Sequence, residues 1–339
     1  MPSRPTALDV ARLAGTSRSA VSMVMNERWR GNISEATASR IRAAANELQY
    51  SPQSIAVSLR SQRTSTLGIV SEIVANPFAG ELIKALTSQA MTLGYATLIV
   101  ETDSSVEGDR IAINELRRRQ VDGIVYATGG LVDFEVPGEL LQGPAVLANC
   151  FDSKEQVPAF IPDDEGGAVI AANHLLGLGH RRIALLRGHM SDPASHRRER
   201  GYRKAMDAAG YPDAGQLVLE AGWTISDGYQ AAEALLNAPT APTAVVCSND
   251  RVATGVLLFA AAAGVEVPRD LSVVGFDNQP FLAEDLVPAL TTIALPHFEL
   301  GTLAAIQLVD ALAEARPEKS ATTLVDCRLV IRSSTMRPR

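Results

Sequence analysis

Cysteine is scarce and scattered. The 339-residue chain holds only Cys150, Cys247 and Cys327, with no C-x-x-C pair, which excludes a disulfide framework and a cysteine-based zinc site and suits a reducing compartment. No apolar run reaches the ~20 residues that a bilayer-spanning helix needs, and no basic stretch followed by an apolar core opens the chain. The expected location is the cytoplasm, with no membrane partner. Motifs of nucleotide and metal chemistry are missing as well: there is no G-x-x-x-x-G-K-[ST] and no H-E-x-x-H. "GLGH" at 177–180 closes a helix instead of opening one after a strand, so it is no dinucleotide fingerprint. His180, His189 and His196, with Asp192, lack the one-turn spacing of helical metal ligands and read as solvated loop residues. Ser195 beside His196 is no triad, because a triad is a spatial geometry. These absences predict neither catalysis nor any cofactor or metal.

Lysine is absent from the first 63 residues, which carry nine arginines against four acids (Asp9, Glu27, Glu35 and Glu47), a net charge of +5. The rest of the chain then carries −12, since the whole is −7. A basic module on an acidic body points to a polyanionic partner for the head alone. The chain also exceeds the ~250–300 residues at which a single core stops growing, so several domains are expected.

"PTALDVARLAG" reads as a helix with Thr6 as N-cap and Asp9 three residues later, a capping-box variant, with Leu8, Val10, Leu13 and Ala14 on the core-facing stripe and Gly15 ending it. Ser17 then caps a second helix. Its Val21, Val24 and Met25 must point inward, leaving Arg18, Ser19, Ser22 and Met23 outside. A third helix, opened by Ser34 and Glu35, runs through Ile41, Ala45 and Leu48. Two short helices around a glycine turn, with polar residues opening the second, make a helix-turn-helix, whose second helix enters the DNA major groove. Arg18 then suits guanine, Ser19 either base and Met23 a thymine methyl. A plain three-helix bundle is the bland alternative, but it needs no basic surface.

"TALDVARLAGTSRSAVSMVMN" and "ISEATASRIRAAANELQYSPQSIAVSLRSQRTSTLGIV" resemble the DNA-binding head of the LacI/GalR family of bacterial transcription regulators over about sixty contiguous residues. The resemblance implies DNA contacts at Thr6, Ser17, Arg18, Ser19, Ser22, Met23 and Asn26. Ala20 stands where the family usually has threonine and Met23 where it most often has arginine, so the base read from position 23 does not follow from the resemblance. "NERWRGN" is longer than usual; its Trp29, Arg28 and Arg30 either cap the core or add phosphate contacts.

"SPQSIAVSLRS" places Ile55, Ala56 and Leu59 on one face after Pro52. A helix this far below ~12 residues is marginal alone. By itself the segment reads as a linker; the resemblance implies a hinge helix that pairs with a second subunit's in the minor groove, where Leu59 wedges between base steps and Ile55 lies beside it.

From Thr66 onward, runs such as "TLGIVSEI", "ATLIVET", "DGIVYAT", "PAVLANC", "RRIALLRG", "TAVVCSN" and "LSVVGFDN" alternate with helical stretches. That is the signature of parallel sheets in an α/β fold, and the length calls for two lobes. Ligands in such folds bind beyond the carboxyl ends of strands, in the crevice between lobes. The rule selects Asn149, Asn249 with Asp250, and Asp277 at strand ends, Phe78 in the "NPF" loop, and Arg198 ahead of the helix "RRERGYRKAM". Each singly can be an ordinary helix cap. The body also resembles the family's ligand-sensing core, similar to periplasmic sugar-binding proteins, in "DDEGGAVIAANHLLGLGHRRIALL", "RGYRKAM", "PTAVVCSND", "LSVVGFDN" and "PALTTI". By that resemblance Arg198, Asn249 and Asp277 bond an effector, Asn149 stands where relatives often have aspartate, and Trp223 packs on a sugar face.

The expected architecture is thus an all-α helix-turn-helix head (1–51), a hinge helix and linker (52–65), and an α/β two-lobed periplasmic-binding-protein-like core with parallel sheets (66–339). Lobe 1 covers about 66–163 and 295–322, and lobe 2 about 164–294 and 323–335. The expected function is a repressor that binds a pseudo-palindromic double-stranded DNA operator as a homodimer under a carbohydrate-like effector. The competing reading is a cytoplasmic sugar-binding or sugar-processing protein with an incidental basic head.

Overall fold

The computed structural model describes residues 5–50, 63–72, 79–212, 217–313 and 321–339. Ile55, Leu59 and Phe78 lie outside them. The chain divides into two units, Met1–Thr64 and Ser65–Arg339.

In the first unit, helices α1 (Ala7–Leu13), α2 (Arg18–Met25) and α3 (Glu35–Glu47) each begin where a hydroxyl side chain takes up a free backbone N–H. Thr6 and Asp9 form the full reciprocal capping box, Ser17 accepts from the Ala20 N–H, and Ser34 accepts from the Thr37 N–H. Gly15, at φ 61°, supplies the left-handed turn between the first two helices. Val10, Ala11, Ala14, Val21, Val24, Ala38, Ile41, Ala44 and Ala45 close the core, and Trp29 joins it with the Arg42 guanidinium 5.1 Å from its ring centroid. Trp29 therefore caps the core, while Arg28 and Arg30 on either side are exposed. One expectation fails. Leu8 and Leu13, assigned to the core stripe, are each 48% exposed. The buried row is Val10, Ala11 and Ala14, with Ala7 partly buried beside it, and the small residues on it let α1 approach its neighbours closely; both leucines fall off that row.

The second unit holds two six-stranded sheets. The first contains β1 (Thr66–Ser71), β2 (Ala96–Glu101), β3 (Gly123–Asp133), β4 (Ala145–Phe151), β5 (Ala159–Pro162) and β11 (Thr322–Val325), in the order β2-β1-β3-β4-β5-β11 and parallel throughout. The second contains β6 (Ile183–Arg187), β7 (Val218–Glu220), β8 (Ala244–Cys247), β9 (Ser272–Asp277), β10 (Thr291–Ala294) and β12 (Arg328–Val330), ordered β7-β6-β8-β9-β10-β12, with only β12 antiparallel. Strand period 2 feeds both faces of each sheet: Val245 and Cys247 point into one core cluster, Ala244 and Val246 into the other. All three cysteines are buried and free, and burial pushes the Cys150 thiol up to about 12.

Several details depart from expectation. The last crossing between lobes comes after Val325, because β11 pairs with β5 in the first sheet, whereas 322 was the anticipated boundary. Short strands β5, β7, β10, β11 and β12, all of three or four residues, were absent from the expected strands. His180 is not a solvated loop residue: it is 2% exposed, with Nδ1 bonded to Thr243 Oγ1 at 2.9 Å and Nε2 to the Met336 carbonyl at 2.8 Å. It ties the chain's last residues to lobe 2, reaching past the anticipated end at 335. His189 and His196 are exposed as expected, but His196 lies on the helix Pro193–Ala208 and not in a loop.

Candidate effector crevice and nucleic-acid interface

The sheet order decides where a ligand site belongs. In the second sheet the chain winds outward in both directions from β6 and β8, and a crevice opens beyond the carboxyl ends of strands at such a reversal. Arg187 ends β6 and Ser248 follows β8. Between them stands Arg198, which lies within α7 (Pro193–Ala208), not ahead of a helix as expected, because Asp192 and Pro193 start that helix a full turn earlier.

Arg198 is 6% exposed and organises its surroundings. Its Nε donates to Asp164 Oδ1 at 2.8 Å, Nη1 donates to the Ser248 carbonyl, and Nη2 lies 3.8 Å from Asp277 Oδ1. The guanidinium carbon sits 3.8 Å from the Phe276 ring centroid and 5.8 Å from that of Trp223. A buried cation thus has charge partners at its edge and two aromatic rings close by. Burial pulls the arginine toward neutrality, but Asp164 and Asp277 outweigh it and hold Arg198 above its ordinary value. Burial likewise raises Asp164 and Asp277, against the pull of Arg198. His297, at the crossing into α10 (His297–Ala313), is buried nearby; desolvation first and the Arg198 charge second bring it down to about 4, so it is neutral.

Trp223 is oriented from three sides. Its indole Nε1 donates to Asp192 Oδ2 at 2.6 Å, its carbonyl accepts from Asn249 Nδ2 at 3.1 Å, and its backbone N–H donates to Asp227 Oδ2 at 3.1 Å. A Cβ on Gly188 would stand 2.1 Å from the ring, so only glycine lets the indole lie there. Asn249 also accepts from the Val252 N–H at 2.8 Å, capping α9 (Asp250–Ala262), so both ends of its amide are engaged. The next residue, Asp250, is wholly buried and pushed up to about 7 by desolvation, against its hydrogen bonds from Thr292 Oγ1 (2.5 Å) and the Gln279 N–H (2.6 Å).

Four of the residues selected from sequence, Arg198, Trp223, Asn249 and Asp277, therefore meet in one place. Asn149 makes its side-chain bond within lobe 1. It sits in lobe 1 at φ 60°, with Nδ2 donating to the Thr128 carbonyl at 2.9 Å while Thr128 Oγ1 donates back to the Asn149 carbonyl at 2.8 Å. Asp164, Asp192 and Phe276 were not selected, although they hold the cluster together; Phe276 was visible only as the residue before Asp277. Side chains from both lobes meet beside the site, with Leu131, Phe151 and Ile161 of lobe 1 against Ala194 and Trp223 of lobe 2, and Arg197 stacks 5.3 Å from the Phe151 ring centroid.

In the head, Val21 and Val24 are buried while Ser17, Arg18, Ser19, Ser22, Met23 and Asn26 are exposed. Asn26 Nδ2 donates to the Ser22 carbonyl at 2.7 Å, which closes the end of α2. Thr6 is exposed but its hydroxyl is engaged, donating to Asp9 at 2.6 Å. Met25 is only partly buried. Among the described residues no cluster of metal-ligating side chains occurs, and no helix is long and apolar enough to cross a membrane.

The chain's similarities agree with this layout. Residues 6–53 match the lacI family of bacterial regulatory proteins and residues 172–335 a periplasmic binding protein-like domain. The transcriptional regulator DegA of Bacillus subtilis is 36% identical, covering 88% of each chain. The repressor CytR of Escherichia coli is 32% identical over 97% of this chain and 96% of its own. Among solved structures, the lac repressor dimer bound to operator and the anti-inducer ONPF aligns with a TM-score of 0.81 at 28% identity, covering 98% of this chain and all of that one. A complex of the regulator CelR with cellobiose aligns with a TM-score of 0.67 at 29% identity, covering 98% of this chain and all of that one. The chain belongs to the lacI family and is a ligand-responsive, sequence-specific DNA-binding transcriptional regulator of the repressor kind.

Proposed function

We propose that this regulator binds a pseudo-palindromic operator as a homodimer and releases or grips it according to a neutral, hydroxyl-rich effector held in the crevice around Arg198. The observation that carries the reading is the division of labour along α2: Val21 and Val24 hold the helix to its core, so Arg18, Ser19, Ser22 and Met23 stand exposed for base edges. Two such helices read half-sites about one helical turn, ~34–36 Å, apart. Ser17, Asn26 and Thr6 shape the helix ends, and Ile55 and Leu59 serve as the minor-groove wedge by family likeness.

On the effector side, Trp223 offers an aromatic face and Asp277, Arg198 and Asn249 offer charged and amide edges, which suits a sugar or polyol; cellobiose in the CelR complex supports the same class. Phe78 joins this set by the strand-end rule alone. Effector binding biases the two lobes and thereby the pairing of hinge helices, a coupling of the usual ~1–3 kcal/mol. The protein works in the cytoplasm.

Footprinting on genomic DNA tests the core claim. The expected result is two-fold symmetric protection that weakens steeply with salt; protection without sequence preference overturns it. Deleting residues 1–63 abolishes operator binding and leaves the thermal shift by a bound ligand. Leu59→Ala weakens operator affinity far more than ligand affinity, and equal loss of both counts against the hinge assignment.

A further inference from the structure

The turn after β9 carries the crevice's acid in an unusual backbone. Asp277 has φ 106° and Asn278 φ 54°, conformations that L side chains rarely adopt and that persist only where the surroundings hold them. What holds them converges on Asp250. One carboxylate oxygen accepts from the Gln279 N–H at 2.6 Å, the other from Thr292 Oγ1 at 2.5 Å. Thr292 Oγ1 in turn accepts from the Asn278 N–H at 3.4 Å, and the Asn278 carboxamide oxygen accepts from Arg332 Nη2 at 2.8 Å. Arg332 is anchored by Nη1 to the Leu290 carbonyl at 2.8 Å. The Asp250 carboxylate reaches Thr292 over β9 only because residue 275 is glycine: a Cβ there would lie 2.2 Å from Asp250 Oδ1.

We propose that Asp250 is the positioning residue of the effector crevice: through Gln279 and the Thr292 hydroxyl it clamps the 277–279 turn, and so aims the Asp277 carboxylate at Arg198 and at the ligand. The proposal rests on the reading of Asp277 as an effector contact. Asp250 itself is wholly buried at the foot of α9, with both carboxylate oxygens occupied, so it acts only through the turn. Thr292 is the relay, donating to the carboxylate with its one proton and accepting from the turn with a lone pair.

Thr292→Val is nearly isosteric and removes only the hydroxyl, Thr292→Ser restores it, and Asp250→Asn keeps the shape while turning one acceptor into a donor. Hydrogen exchange of the full-length chain, followed at the Gln279 amide, needs no ligand. Exchange at least tenfold faster in Thr292→Val and Asp250→Asn, with Thr292→Ser within about twofold of the native chain, is expected; unchanged protection in Thr292→Val overturns the clamp. A second measurement uses the thermal shift produced by cellobiose, D-glucose, D-ribose or adenosine, whichever binds the native chain. Asp277→Ala abolishes that shift, and Thr292→Val weakens the apparent affinity at least tenfold with Thr292→Ser unaffected. Loss in Asp277→Ala without loss in Thr292→Val refutes the positioning role, whereas an intact shift in Asp277→Ala refutes the crevice assignment itself.

Discussion

The two lobes share one winding order yet treat their strand ends differently. In lobe 1 the carboxyl edge is closed by neutral or singly charged pairings: Asn149 with Thr128, Thr102 Oγ1 donating to Asp109 at 2.6 Å, and Glu72 accepting from Ser104 Oγ at 2.6 Å and from the Gly129 N–H at 3.0 Å. In lobe 2 the same edge buries an arginine with Asp164, Asp250 and Asp277 around it. Topology fixes where polar groups gather, since both edges lie at a reversal of strand order. The residues decide whether that edge is a hydrogen-bond network of neutral and singly charged groups or a buried arginine ringed by carboxyl groups.

The comparison is broken most forcefully at Arg198. Arg198→Ala leaves two buried carboxylates without their cation, and removing one member of a buried ion pair costs about 3–5 kcal/mol. Urea denaturation of the core should show that loss; a change near zero means that the acids are protonated and the cluster is not ionic. Asn149→Asp makes lobe 1 resemble lobe 2 in charge without supplying a cation. The new carboxylate faces the Thr128 carbonyl that Nδ2 now bonds, so a loss of about 1–3 kcal/mol is expected near pH 7, shrinking as acid protonates it; equal destabilisation at both pH values contradicts the assignment.

Smaller still is Thr128→Val, which removes a hydroxyl whose partners are two backbone carbonyls, of Gly130 and Asn149. About 1 kcal/mol is the expected cost, read as a fall in the melting temperature. The pH profile of native folding separates the lobes most finely. Burial holds Asp250, at about 7, and Asp277 above the ordinary carboxylate range, so the folded state binds their protons more tightly than the unfolded chain does. The Asp250 contribution is fully present below the unfolded value near 4 and is lost as pH rises through about 7, and that of Asp277 is lost as pH rises through its own raised value. Asp250→Asn should flatten that decline, whereas Thr128→Val in lobe 1, which removes no titratable group, should leave it in place; a profile unaltered by Asp250→Asn removes Asp250 from the account.

Much of this architecture was readable from local chemistry. Thr6 with Asp9, Ser17 and Ser34 announce helix starts because a capping hydroxyl serves an N–H only three residues away. Strands β1, β3, β4, β6, β8 and β9 stand out as apolar runs because both their faces are covered. The other strands of three or four residues, β5, β7, β10, β11 and β12, did not, since so short a run carries no periodicity. Leu8 and Leu13 misled for a related reason: hydrophobicity suggests burial, but in a head this small the row of alanines and Val10 fills the available contact.

The crevice divides along the same line. Asn249, Asp277 and Arg198 could be selected because residues after strands in an α/β sheet face one edge, and Trp223 only because its position is shared with a family. Their partners could not. Asp164 and Arg198 lie 34 residues apart, and Asp250 and Thr292 lie 42 apart, and nothing in either residue's neighbours encodes the other. The sequence by itself determined caps, strand faces, the basic head on an acidic body and the edge on which a ligand site must lie, all consequences of local geometry and charge. Only the tertiary structure decided that Asn149 is spent on Thr128, that His180 is a buried tie for the chain's end, and that Asp250 stands behind Asp277, because each depends on which distant segments the packed sheets bring within hydrogen-bond reach.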